Sequence, residues 1–135
     1  MNILGIIPAR GGSKGIERKN ISILGGRPLI AHTIEEALKS NLDSVIVSTE
    51  DDEIADTALR YGALVPFKRP MELALDTSNS IDVAIHGLKE MERLQNKTYE
   101  AVMYLQPTTP FRSSQDINDS IDLLHNNEKV DSVIS

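Results

Sequence analysis

The residues best suited to chemistry form a basic, glycine-rich loop at positions 10–15, with the sequence RGGSKG, directly after an apolar segment. Glycines let the backbone approach a ligand closely, and successive amides in such a loop can form a nest that binds anions. Arginine contacts phosphate through paired hydrogen bonds, while lysine acts as a mobile point charge. The loop therefore predicts a phosphate-binding site, with a basic surface turn as the simpler alternative.

Two common phosphate-binding motifs do not describe this loop. A Walker A loop requires the pattern G-x-x-x-x-G-K-[ST], which does not occur in the sequence. A dinucleotide fingerprint opens directly into a helix, whereas this loop continues into the charged residues 16–20. The loop is therefore interpreted as a phosphate site of another kind.

The charges are distributed unevenly along the chain. The net charge is −6, which argues against a general nucleic-acid binder. Residues 1–30 carry five cations and one anion, whereas the remaining 105 residues carry nine cations and nineteen anions. This basic focus on an acidic body predicts a small anionic ligand near the N-terminus.

Apolar segments alternate with segments of helical periodicity, which predicts an α/β fold with a mainly parallel sheet covered on both faces. Strands are predicted at residues 3–8, 44–49, 63–67, 101–105 and 130–134. Helices are predicted from Pro28 to about residue 40, and at 51–61, 81–91 and 117–124. Thr49 is expected to cap the second helix, and Glu92 is a polar break in the third.

Four loops follow predicted strands, at residues 9–20, 50–52, 68–80 and 106–112. The first of them is expected to have no regular structure. Ligands of parallel sheets bind beyond the carboxyl ends of the strands, so these loops are predicted to meet at one crevice.

The composition excludes several kinds of site. The chain has no cysteine, which excludes disulfides and thiolate metal sites. No apolar run reaches the roughly 18 residues of a membrane span, and residues 1–9 do not form a signal peptide. We therefore expect a cytoplasmic protein that has no membrane partner.

Residues 7–15, followed by residues 18–20, resemble the signature of the acylneuraminate cytidylyltransferases, or CMP-sialic acid synthetases. That family includes the CMP-legionaminic and CMP-pseudaminic acid synthetases. The similarity covers the whole chain and continues at residues 28–30, 46–49, 69–70, 72–74, 76–77, 105–110 and 131–133. The first loop combined with the LQPTTP sequence at 105–110 is the specific part of the match.

The resemblance implies a three-layer, Rossmann-like nucleotidyltransferase fold, with residues 1–135 forming a nucleotidyltransferase core. It also implies use of CTP with Mg²⁺, and transfer of CMP to the anomeric hydroxyl of an acidic nine-carbon sugar such as N-acetylneuraminate. Pyrophosphate is released, and family members are usually homodimers. A cytidylyltransferase for the eight-carbon acid Kdo, or a nucleotide-binding module without turnover, remain alternatives.

The same resemblance assigns roles to residues of the first loop. Arg10, Lys14 and Lys19 match catalytic positions that hold the triphosphate. Ala9, Gly11, Gly12 and Ser13 also match nucleotide-binding positions of the family, through their backbone groups.

Other matched positions lie further along the chain. Asn20, Arg69 and Ser80 match positions near the nucleotide base and ribose. Gln106, Thr108 and Thr109 match the region that faces the sugar. The aspartates that hold magnesium in the family lie beyond Ser135. The chain is therefore expected to lack the C-terminal portion of the family, and turnover by the 135-residue form stays open.

Simpler interpretations exist for several of these residues. Glu50 or Asp51 can approach a bound metal, but residues 50–53 are more simply a solvated acidic first turn of a helix. Arg69 is alternatively a surface charge, and Gln106 a polar end to its strand. Residues 76–78 are alternatively only a cap for the helix at Ile81, which would leave Ser80 without a role in the nucleotide site. The threonines of residues 108–109 are alternatively part of a rigid loop between prolines.

Overall fold

The computed structural model describes residues 2–13, 16–17, 23–75, 78–107, 113–126 and 133–134. In chain order its elements are β1 (Ile3–Pro8), β2 (Gly12–Ser13), β3 (Ile16–Glu17), β4 (Ile23–Leu24), β5 (Arg27–Pro28), α1 (Leu29–Lys39), β6 (Ser44–Ser48), α2 (Asp52–Arg60), α3 (Ser80–Gln95), β7 (Ala101–Tyr104), α4 (Ser114–Asn126) and β8 (Val133–Ile134). One turn of 3-10 helix (Met71–Leu73) lies between α2 and α3.

The centre of the fold is a four-stranded parallel sheet in the order β6-β1-β7-β8. The first strand lies between β6 and β7, so both of its edges are paired. Its residues Ile3 to Ile7 are all buried, which explains why this segment is a continuous apolar run rather than an alternating one.

Successive side chains of a strand point to opposite sides of the sheet. Those of β1 are apolar and buried on both sides, so helices cover both faces. On one face Ile7 packs in a core with Ile34 of α1, Ile54 of α2 and Ile117 of α4. On the other face Ile6 packs in a second core with Val83 of α3. The predicted three-layer α/β architecture is therefore confirmed.

The turn between β6 and α2 differs from its prediction. Asp51, not Thr49, caps α2, because the Asp51 Oδ1 atom accepts a hydrogen bond from the Ile54 amide at 3.0 Å. The Thr49 hydroxyl oxygen instead accepts a hydrogen bond from the Asp51 amide at 3.1 Å. Thr49 therefore orders the turn that presents the cap, and α2 ends before Gly62, whose φ is 98°.

The third predicted strand, at residues 63–67, is wrong. Only Leu64 forms a bridge there, pairing with Ile46 of β6. Pro66 has no N–H group to donate, which prevents the pairing from extending as a regular ladder. The described part of the 9–20 loop also departs from its prediction, since β2 and β3 pair as a short antiparallel hairpin.

The third helix is longer than predicted. It runs through Glu92 to Gln95 and ends at Asn96, which adopts the left-handed conformation with a φ of 51°. The Glu92 carboxylate accepts a hydrogen bond from the Tyr99 amide at 3.0 Å. This polar residue therefore helps to fix the connection to β7 instead of interrupting the helix.

Within the described residues, no helix combines the length and apolar character needed to cross a bilayer.

We expect Ile6→Ala to lower the free energy of unfolding by about 2–5 kcal/mol, because it opens a cavity between β1 and α3. Leu94→Ala, on α3, is the control. Leu94 is 49% exposed, so this substitution should change the free energy of unfolding by no more than about 0.5 kcal/mol. Urea unfolding followed by circular dichroism measures both. Equal losses in the two variants would contradict the assignment of Ile6 to the core.

Candidate functional site

Three segments that are distant in sequence meet at the carboxyl end of the sheet. The Ala9 amide, just after β1, donates to the Ser48 carbonyl at the end of β6, with a nitrogen–oxygen distance of 3.0 Å. The Arg69 amide donates to the Thr49 carbonyl at 2.8 Å. The glycine-rich loop, the turn after β6 and the segment that begins at Arg69 are therefore held side by side, which confirms the predicted meeting for three of the four loops. Most of the fourth, at residues 108–112, lies outside the described residues.

Arg69 is the buried cation of this region, with only 3% of its surface exposed. Its Nε atom donates to the Ser48 hydroxyl at 2.9 Å, and one terminal nitrogen donates to the Ser48 carbonyl at 2.7 Å. The other terminal nitrogen donates to the Leu73 carbonyl at 3.1 Å. The alternative of a surface charge is therefore wrong, because the guanidinium ties the end of β6 to the segment that precedes α3.

The electrostatic surroundings of Arg69 involve three other side chains. Burial lowers the pKa of the Arg69 guanidinium, while Tyr104 and Glu50 oppose that shift and Arg10 adds to it. Arginine stays charged in proteins despite such shifts, so this site keeps a desolvated positive charge. Such a charge is tolerated because hydrogen bonds and a nearby carboxylate compensate for the lost water.

Glu50 points toward the glycine-rich loop. Its Oε1 atom accepts a hydrogen bond from the Gly11 amide at 2.6 Å. Its Oε2 atom is buried and has no hydrogen-bond partner among the described residues. The expectation that residues 50–53 form a solvated first helical turn is therefore wrong for Glu50. The helix begins only at Asp52, so that Asp52 and Glu53 form the exposed acidic turn.

Gly11 is required for the close contact between the loop and the turn after β6. A Cβ atom at position 11 would lie 2.5 Å from the Oδ2 atom of Asp51, well inside van der Waals contact. At Gly12 a Cβ would meet nothing within 4 Å. The two neighbouring glycines therefore differ, since only the first is needed for packing.

Tyr104 is a residue of this region that the sequence did not single out. It is the last residue of β7, and its side chain lies on the α3 face of the sheet with Ile6. Burial raises the pKa of its hydroxyl, and Arg69 and Arg10 oppose that shift. Its position at a strand end, one residue before the LQPTTP sequence, was the available signal.

We call Arg10, Gly11, Glu50, Arg69 and Tyr104 the strand-end cluster. Its members come from the segments after β1 and β6, the end of β7 and the connection after α2, and they combine two cations, one carboxylate and one protonated phenol. Arg10 is half-buried. The cluster can bind an anion beside Arg10 and Gly11, with the buried Arg69 adding positive potential.

The remaining predicted site residues fall into two groups. Ala9 is buried at the end of β1, Ser80 is exposed at the start of α3, and Gln106 is exposed two residues after β7. Asn79 caps α3, because its side-chain oxygen accepts from the Ile81 amide at 2.7 Å. Outside the described residues lie Lys14, Lys19, Asn20, Thr108 and Thr109, and of Ser13 only the backbone is described.

The cluster alone is not a metal centre. Within the described ranges, no three histidine, aspartate or glutamate side chains are grouped so as to hold an ion. Mg²⁺ in phosphate-transfer sites is held by one or two carboxylates together with substrate phosphates, so it does not require a protein cage.

Comparison with known sequences identifies a family. A family model described as a cytidylyltransferase matches residues 4–135. A CMP-N,N'-diacetyllegionaminic acid synthase of Legionella pneumophila is 44% identical over 124 residues, which are 91% of this chain and 53% of that protein. A pseudaminic acid cytidylyltransferase of Campylobacter jejuni is 46% identical over 111 residues, or 82% of this chain and 47% of the relative.

A third relative shares most of the chain. An N-acylneuraminate cytidylyltransferase of Escherichia coli is 41% identical over 134 residues, which are 98% of this chain and 30% of that protein. The chain therefore spans about half the length, or less, of these curated relatives.

Solved structures share the fold. A CMP:2-keto-3-deoxy-manno-octonic acid synthetase complexed with CTP superposes with a TM-score of 0.73 at 20% identity, covering 96% of this chain and 50% of that chain. A cytidylyltransferase of Leptospira borgpetersenii gives a TM-score of 0.72 at 21% identity, covering 96% and 51%. These matches confirm the Rossmann-like nucleotidyltransferase fold.

Gly11→Ala should lower the free energy of unfolding by about 1–3 kcal/mol, because the new methyl group collides with the turn at Asp51. Gly12→Ala removes the neighbouring glycine without a collision and should have a markedly smaller effect. Thermal unfolding of both variants measures the difference. Similar melting temperatures for the two variants would contradict the close contact.

Arg69→Met should lower the free energy of unfolding by about 3 kcal/mol, since three acceptor atoms of Ser48 and Leu73 each lose a hydrogen bond from a charged donor. Arg60→Met is the matched control, because Arg60 is exposed at the end of α2 and its loss should cost about 0.5 kcal/mol or less. Urea titration compares the two. A loss of stability for Arg69→Met no larger than that for Arg60→Met would contradict the role of Arg69 in joining the end of β6 to the segment before α3.

Proposed function

The chain belongs to the cytidylyltransferase family, and we propose that it binds CTP at the strand-end cluster to transfer CMP to an acidic nine-carbon sugar. The single observation that carries the proposal is the docking of the glycine-rich loop against the turn after β6, beside the buried cation Arg69. The relatives named for sialic, legionaminic and pseudaminic acids support this class of sugar. The Escherichia coli relative is named for N-acylneuraminate, the class that includes N-acetylneuraminate.

The triphosphate binds along the outer side of the cluster in this proposal. Arg10 is half-buried and lies two residues after the end of β1, and its guanidinium suits a two-point contact with phosphate. The backbone amides of Gly12 and Ser13 extend the anion site, and the side chains of Lys14 and Lys19 add mobile charge to it. Fixed positive charges at this place stabilise the charge that develops on the leaving pyrophosphate.

Arg69 contributes mainly through its charge. A guanidinium has five N–H donors, and three hydrogen bonds to Ser48 and Leu73 occupy donors on all three of its nitrogens. Its burial leaves little surface for direct contact. We therefore propose that Arg69 positions the nucleotide pocket and supplies a constant positive potential. Asn20 and Ser80 complete the pocket near the base and ribose.

In the proposed reaction the anomeric hydroxyl oxygen of the sugar attacks the α-phosphorus of CTP. The bond from the α-phosphorus to the bridging oxygen breaks, pyrophosphate leaves, and the hydroxyl proton passes to solvent or a base. Gln106, Thr108 and Thr109 face the sugar. Magnesium, when bound, neutralises phosphate charge. We further propose that the protein acts as a homodimer in the cytoplasm.

Titration calorimetry with CTP and Mg²⁺ tests the nucleotide assignment. Arg10→Ala should weaken CTP binding by about 1.5–3 kcal/mol, because it removes a charged hydrogen-bond donor to phosphate. Lys89→Ala removes an exposed cation of α3 and should leave the affinity unchanged. Unchanged affinity in Arg10→Ala, or binding of ATP and GTP instead of CTP, would contradict the proposal.

Pyrophosphate release separates catalysis from binding alone. Release that depends on N-acetylneuraminate or a related nine-carbon acid, and not on the eight-carbon acid Kdo, is the expected result. Binding of CTP without pyrophosphate release from any of these sugars would favour a nucleotide-binding module.

A further inference from the structure

The Gly11 amide, which a phosphate nest would offer to its ligand, already has an anionic partner. The Glu50 Oε1 atom lies 2.6 Å from the Gly11 nitrogen, a short distance that is typical of a hydrogen bond to a charged acceptor. A polyphosphate that bound this amide would have to take the place of the carboxylate. Two anions therefore compete to accept the hydrogen bond of this amide: the Glu50 carboxylate of the chain and a phosphate of the ligand.

The second oxygen of Glu50 supports a transient role for this contact. The Oε2 atom is buried and accepts no hydrogen bond from any described residue. A buried carboxylate oxygen without a partner in the chain is costly, so the Gly11 amide satisfies only one of the two acceptor atoms of Glu50. The carboxylate remains there because of the Gly11 amide and the positive surroundings.

Those positive surroundings explain why a carboxylate is favourable at this position. Arg10 and Arg69 repel each other, and Glu50 opposes the effect of Arg10 on the Arg69 guanidinium. A negative charge on Glu50 therefore compensates for part of the repulsion between the two cations. A bound polyphosphate would supply the same compensation, and Glu50 would then be a repulsive neighbour.

We propose that Glu50 is an internal placeholder anion, which holds the Gly11 amide when no nucleotide is bound and yields it to the phosphates of the incoming nucleotide. This inference rests on the proposed function, since it takes the glycine-rich loop as the phosphate site. It makes Glu50 a positioning residue that stabilises the loop before a ligand binds and weakens phosphate binding.

The test measures the affinity of the chain for pyrophosphate, and for CTP in EDTA, by titration calorimetry. Glu50→Gln keeps an oxygen that can accept from the Gly11 amide but removes the charge. We expect it to bind both ligands roughly three- to tenfold more tightly than wild type, while the ligand-free variant melts at a lower temperature. Glu53→Gln is the matched control, because the same change three residues away in an exposed position should alter neither quantity appreciably.

A measurement on the wild-type chain does not depend on the folding of the variant. In a pyrophosphate titration followed by NMR, the Glu50 side-chain carboxyl carbon and the Gly11 amide should shift together with one midpoint. A Glu50 signal that stays constant while the Gly11 amide shifts would overturn the inference.

The other outcomes are distinguishable. Equal or weaker binding by Glu50→Gln in EDTA overturns the placeholder role while leaving the proposed function intact. A loss of CTP affinity that occurs only with Mg²⁺ would make Glu50 a metal ligand instead and also overturns it. If neither wild type nor variant binds pyrophosphate or CTP, the proposed function fails, and this inference fails with it.

Discussion

The buried guanidinium of Arg69 is the interaction on which the geometry of the site depends. It joins the hydroxyl and carbonyl of Ser48 to the carbonyl of Leu73, and so fixes the end of β6 against the segment that leads into α3. The Ala9 amide is bonded to the same Ser48 carbonyl. One residue at the end of β6 therefore receives both the start of the glycine-rich loop and the buried cation.

The sheet explains why this junction lies where a ligand can reach it. The first strand is central and parallel to both neighbours, so the loops that follow β1, β6 and β7 leave the sheet at one edge. Helices cover both faces, and the carboxyl edge is where functional groups from distant segments can meet. Tyr104 and Arg69 illustrate this, because they are 35 positions apart in sequence and yet interact electrostatically.

Local patterns in the sequence were enough to predict much of this architecture. The buried strand of residues 3–8 and the helix that begins after Pro28 are apparent from apolar runs and helical spacing alone. Residues 63–67 have the composition of a strand, but only Leu64 finds a partner. Whether a short apolar segment pairs is decided by its neighbours in the sheet, which a local pattern does not contain.

The same distinction applies to the site. Arg10 and Gly11 could be proposed as site residues from residue type and spacing, because a basic loop after a strand has a recognisable composition. The burial of Arg69 could not, since Lys68 and Pro70 beside it are typical of a surface loop. Glu50 was misplaced because it belongs to a run of four acidic residues, of which the exposed members follow the helix pattern and Glu50 does not. Its contact with Gly11 spans 39 positions.

A site that concentrates cations for a polyphosphate must also be stable when that ligand is absent. Desolvation at Arg69 and repulsion from Arg10 both disfavour its charged form, and solvent screens this repulsion poorly below the surface. The Glu50 carboxylate, held on a loop amide, counteracts both effects. If Glu50 acts as the proposed placeholder, stability of the loop without a ligand and affinity for an anionic ligand are opposed at this one side chain, and a substitution there shifts the balance without changing the loop sequence itself.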